Sequence, residues 1–278
     1  MRPLWSVRLP ASPAGLHLAR EAGLILIRDL AGNVSLHDAA GRPVVQRPVP
    51  GQLTASAIAE DGSCAACGTA RGEVRLLREE LTPGWERTLP ARVAALALDP
   101  LGRFLAASDD AGGLTVFDNA GREAWRVTTP RPLSHLAWVP ETGALAGSAD
   151  FGLVCLHAAD GASLWRDALV AHVGGLSVSG DGKRLLVACY TEGLKRYDVG
   201  KAAPVGKDVI ARQVVQSYAG DVILTAGLEG TILSRRDGEG KWLAETRLPA
   251  PAVGLAMDAL GGWAVAALAG GEMTRLEW

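Results

Sequence analysis

Five histidines, four cysteines, 28 basic and 30 acidic side chains could carry chemistry in this 278-residue chain. Their spacing assembles no reactive set. His17, His37, His135, His157 and His172 fall at unrelated places and never at the H-x-x-H or H-E-x-x-H spacing that presents two imidazoles to one zinc. No G-x-S-x-G elbow is present to expose a serine nucleophile, and no G-x-x-x-x-G-K-S/T loop is present to cradle phosphates. Gly180-Asp181-Gly182-Lys183 reads as a hairpin turn. Cys64 and Cys67 form the one C-x-x-C. On a strand, residues three apart face opposite ways, so these thiols share neither a metal nor a relaxed disulfide. Cys155 and Cys189 lie in apolar runs as small core residues. Free buried thiols suit a reducing compartment, and a cytoplasmic location is expected.

One polar pattern does recur. Arg92, Arg131, His172 and Arg212 are followed, 17 to 20 residues later, by Asp110, Asp150, Glu192 and Glu229. Such pairs can brace adjacent loops, where half-exposed ion pairs are worth about 0–1 kcal/mol each. They can also dock a partner protein, since Arg is favoured at interface anchors. The two roles are compatible, because a partner's acid could exchange with Asp110 or Glu229 for the same guanidinium.

The elements that must position these residues follow from a period of 40. Trp5, Trp85, Trp125 and Trp165 share a column in which Val45 and Val205 also stand. The unit beginning at Arg92 contains four short β-rich runs, VAALAL, RFLAAS, LTVFD and AWRVT, separated by DPLG, DDAGG and DNAG turns. No helical pattern intervenes. The units run 11–50, 51–90, 91–130, 131–170, 171–209, 210–249 and 250–278, the last lacking its fourth run. LWSVRLP near the N-terminus supplies that run, with Trp5 in the tryptophan column. An all-β ring of seven four-stranded antiparallel blades is therefore expected, closed by the segment 1–10 joining the last unit. The tryptophans should cover the neighbouring blade's apolar face, and Trp138 and Trp263 should lie between blades. AAPVGKDV, with Pro204 and no Trp, marks the weakest outer edge.

SDDAGGLTVFD, GTARGEVRLL and GLEGTILSRRD resemble the segment joining second and third strands in WD-repeat β-propellers. LHAADGASLW and FDNAGREAW resemble quinoprotein-type repeats. The resemblance spans the whole chain and implies a seven-bladed propeller. It departs from the WD pattern in lacking the Gly-His pair and in carrying Phe117-Asp118, Tyr197-Asp198 or His37-Asp38 where Trp-Asp is usual. In WD repeats a loop His and a loop Asp of one blade are hydrogen-bonded, and the cation–acid pairs look like substitutes for that contact. The vicinal cysteines and calcium-binding acid of quinoprotein dehydrogenases are missing, so no cofactor is expected.

The net charge of −2 and the scatter of Lys and Arg argue against nucleic acid as partner. No stretch approaches 18 uninterrupted apolar residues, which argues against a helical membrane span. MRPLWSVRLP lacks the apolar core of a signal peptide and reads as mature structure. The expected function is a non-catalytic scaffold that binds protein partners across the loop rim, as a possible subunit of a larger assembly. The alternative is a hydrolase or lactonase working in the central channel.

Overall fold

Strong turn chemistry every eight to twelve residues breaks the described residues into 28 strands. In the computed structural model, which describes residues 1–198, 201–206 and 210–278, they form seven four-stranded antiparallel sheets. The innermost strand of each sheet contacts that of the next, and Ala252–Met257 of the seventh meets Pro13–Ala19 of the first. The sheets are thus blades around one axis. Ends where the second strand passes to the third, or the outermost to the next blade, form the upper rim. The other turns form the lower rim.

Many turns are closed by a side chain that accepts backbone N–H groups of the same turn. The acid at the end of the third strand does this on the lower rim. Asp38 Oδ1 accepts from the Ala40 and Arg42 amides at 2.9 Å, and Asp118 Oδ1 accepts identically from Ala120 and Arg122. On the upper rim, buried Asp109 accepts from Ala111 and Gly113 at 3.0 and 2.9 Å. Such Asx turns satisfy amides that a β ladder cannot reach.

The core lies between blades. Leu76, Val74 and Cys64 of the second blade pack with Leu98, Leu105 and Phe117 of the third. Cys67 belongs to a different cluster, with Leu26 and Leu36 of the first blade, so the two thiols do face opposite ways. Burial pushes Cys64 up to about 11 and Cys67 up to about 12. Trp138 and Trp263 sit between blades: Trp138 donates to the Ala97 carbonyl at 3.0 Å, and Trp263 packs beside Leu16 and Ile25.

At the outer wall Trp5, Trp85, Trp125 and Trp165 of the column each stitch their blade to the next. Trp85 meets Phe117 at 5.5 Å between ring centres, and Trp165 stacks on Tyr197 at 5.5 Å. The indole N–H groups of Trp5, Trp85 and Trp125 donate to the carbonyls of Ala39, Asn119 and Ala159, at 3.3, 3.1 and 2.8 Å. These rings lie on Gly41, Gly121 and Gly161, where a Cβ would come within 3.0, 2.8 and 2.8 Å of the indole. Where the column holds Val45, the glycine position holds Leu81, with φ of 58° and 3% exposure. A bulky residue below replaces the bulky residue above.

Ring closure follows the expected pattern. Arg2–Arg8 pairs antiparallel with Glu272–Glu277, from Arg2 opposite Glu277 to Arg8 opposite Glu272. Arg275 reaches across this seam to the Ala39 carbonyl at 3.0 Å, beside Trp5. In the fifth blade the outermost strand is Lys201–Gly206, with Pro204 exposed on the edge; Lys207, Asp208 and Val209 lie outside the described residues. No helix among the described residues is long and apolar enough to cross a membrane.

Candidate interaction rim

The loop before each innermost strand and the loop after each second strand share the upper rim, as the alternation of antiparallel strands requires. They are clamped by backbone first. The amides of Leu30, Ala70 and Asp110 donate to the carbonyls of Ser12, Gln52 and Arg92 at 2.9 Å, and Tyr190 donates to His172 at 3.0 Å. Because a carbonyl makes this contact, the side chain at its position is free to vary. That explains why the column reads Ser12, Gln52, Arg92, Pro132, His172, Arg212, Ala252.

The side-chain pairs match the expected partners in one blade only. Arg92 Nη1 lies 3.3 Å from Asp110 Oδ2, both about half exposed. Arg131 does not pair with Asp150. Its guanidinium lies 5.8 Å from the Phe151 ring centre, held by the negative face of the aromatic. Asp150 turns to the next blade, where its carbonyl accepts from the Val173 amide at 2.8 Å and its carboxylate sits 3.8 Å from His172 Nδ1. His172 packs on Phe151 at 5.0 Å between ring centres, and this contact draws the two blades together. Glu192, the expected partner of His172, pairs instead with Lys195, three residues along its own turn and strand. Arg212 and Glu229 form no ion pair with each other among the described residues.

Sequence reading missed the apolar part of this rim. Leu30, Val170, Ile210 and Leu228 are 76%, 72%, 46% and 49% exposed on upper-rim loops. The available signal was an apolar side chain inside a Gly- or Asp-rich loop, as in Asp29-Leu30-Ala31-Gly32.

The axial channel is the other concave feature, with a cavity of about 250 Å³. Leucine and valine residues such as Leu16, Leu96, Val178 and Val215 line it together with polar His17, Ser177 and Gln216. His17 Nε2 lies 3.1 Å from Ser56 Oγ. Burial, reinforced by the Arg28 guanidinium, pushes His17 down to about 4. At the lower mouth Arg20 Nε donates to both Glu60 oxygens at 2.9 Å, and Tyr218 donates to Glu141 at 3.3 Å. Among the described residues no group of three or more His, Cys, Asp or Glu side chains is placed to hold a metal.

No family model and no curated protein matches the sequence. Among solved structures, the chain is similar to the β-propeller domain of Cps50 (Swd1) from Myceliophteria thermophila, at 13% identity and a TM-score of 0.83. The match covers 100% of this chain and 99% of that one, so the two share a fold.

Proposed function

We propose that the chain is a non-catalytic scaffold that binds a protein partner on its upper rim. The observation that carries this reading is the rim's composition. Exposed Leu30, Val170, Ile210 and Leu228 share the upper rim with the solvent-accessible Arg92–Asp110 pair and with Asp150, on loops clamped by backbone hydrogen bonds. Exposed apolar side chains and exchangeable charges on one rigid platform suit a protein interface, and a rigid platform lowers the ordering cost of binding. The similarity to another β-propeller domain supports the platform and leaves the partner to experiment.

The test is cross-linking of the full chain to its co-purifying partner, followed by affinity measurement. Cross-links should fall on the upper rim, and Arg92→Glu with Arg212→Glu should weaken the complex by about tenfold or more, equivalent to about 1.4 kcal/mol. Cross-links confined to the lower rim, or unchanged affinity, would overturn the assignment.

The hydrolase reading has one observation in its favour, the contact between the channel-lining His17 and the buried Ser56. A base held near 4 is a weak acceptor for a serine proton at neutral pH, and catalytic pairs work best with a base poised near the operating pH. Labelling of Ser56 by a fluorophosphonate would revive that reading; its absence is expected.

A further inference from the structure

A groove of about 420 Å³ runs along the outer wall between blades 1 and 2. Leu76, Leu77 and Leu81 form its floor, and Pro48–Pro50 and Pro83–Trp85 form its sides. Both neighbouring edge strands, Pro43–Pro48 and Pro83–Thr88, begin with proline. Those two positions cannot donate to an added ladder.

Arg47 indicates what kind of side chain. It stands 40 residues before Arg87. Arg87 lies 5.7 Å over the Trp85 ring and donates to the Gly121 carbonyl at 2.7 Å. In the first blade the corresponding ring is Val45 and the corresponding glycine is Leu81. Arg47 is exposed at the groove's edge and, among the described residues, contacts neither a ring nor an acid. The other guanidinium in the lining, Arg75, is already neutralised by Glu73 and Glu86. Arg47 thus offers a guanidinium that is unpaired among the described residues, beside an apolar floor.

We propose that the groove between blades 1 and 2 receives an aromatic side chain flanked by an acid, presented by a segment of a partner protein. The aromatic ring would pack on Leu76, Leu77 and Leu81 beside Arg47, and the acid would pair with the same guanidinium. Aromatic side chains supply the area such a groove can bury, and cation–π contact adds to it. This site lies on the wall and is independent of the rim, so each reading can fail without the other.

The experiment titrates the methyl-labelled full chain with the dipeptide acetyl-Trp-Asp-amide. Shifts should concentrate on the methyls of Val49, Leu76, Leu77 and Leu81. Acetyl-Trp-Lys-amide should bind about fivefold more weakly, and Arg47→Glu should reverse that preference. Thr82→Trp, which sets an indole at the groove's exposed edge, should abolish binding while leaving the melting temperature near that of the parent. The proposal is overturned by no shift at those methyls at millimolar peptide, or by equal binding of the Asp and Lys peptides. It is equally overturned if free indole binds as tightly as the dipeptide, which would make the groove a small-molecule pocket. The rim variant Arg92→Glu should leave dipeptide binding unchanged.

Discussion

His17 shows how a single side chain ties the channel to acid stability. The folded protein holds it near 4, whereas the unfolded chain takes up that proton near the ordinary 6.5. Between these values the unfolded state binds more protons, so stability is full above pH 6.5 and declines as pH falls toward 4. The contribution across that window is about 3 kcal/mol. Urea titrations of His17→Gln between pH 4 and 6.5 should therefore show a flatter dependence than the parent; an identical slope would exclude this origin. The thiols make a second residue-scale case. Cys155 is pushed up to about 12 and Cys189 up to about 11 by burial, and both lie inside core clusters. Native protein should resist a thiol-specific reagent at pH 8, with all four groups reacting only after unfolding. Rapid native labelling of any one would contradict its packed position.

The element scale is governed by what passes between one outermost strand and the next blade's lower turn. Three seams set an indole on a glycine; one sets Val45 on Leu81. Val45→Trp alone should crowd Leu81, and Leu81→Gly alone should leave a cavity, each costing about 2 kcal/mol or more. Together they convert the seam to the Trp-on-Gly form, so a double-mutant cycle should give a favourable coupling of at least about 2 kcal/mol. Additive losses would show that the two positions do not exchange volume. This seam illustrates what could be read in advance. Strands and turns were legible because each is specified within a few residues, as in the Asp118 to Arg122 turn. The indole-to-carbonyl bonds span 34 residues and end on backbone, which bears no residue signature. The pairing of Asp150 with His172, rather than Arg131, depended on Phe151 leaning into the next blade, a tertiary fact absent from spacing alone.

For the whole molecule, the decisive feature is that the first strand completes the last sheet. Met1, Arg2, Glu277 and Trp278 line one cleft, so the two ends are neighbours. A circular permutant joining Trp278 to Met1 through a short linker, and opened between Pro90 and Ala91, should fold to a stability close to the parent. Removing residues 1–10 instead should strip the partner from Glu272–Glu277, expose a ladder edge and cause aggregation. If the truncated chain melts as the parent does, the seam contributes nothing to the ring. The same pairing sets a timetable during synthesis. Arg2–Arg8 leaves the ribosome some 265 residues ahead of its partner, a delay of about 13–50 s at ordinary elongation speeds. Through that interval six sheets can mature while the leading segment waits without a mate. Its run of Arg2, Pro3, Ser6 and Arg8 gives it the charge and the ladder-breaking imino acid that discourage premature association until its partner strand is made.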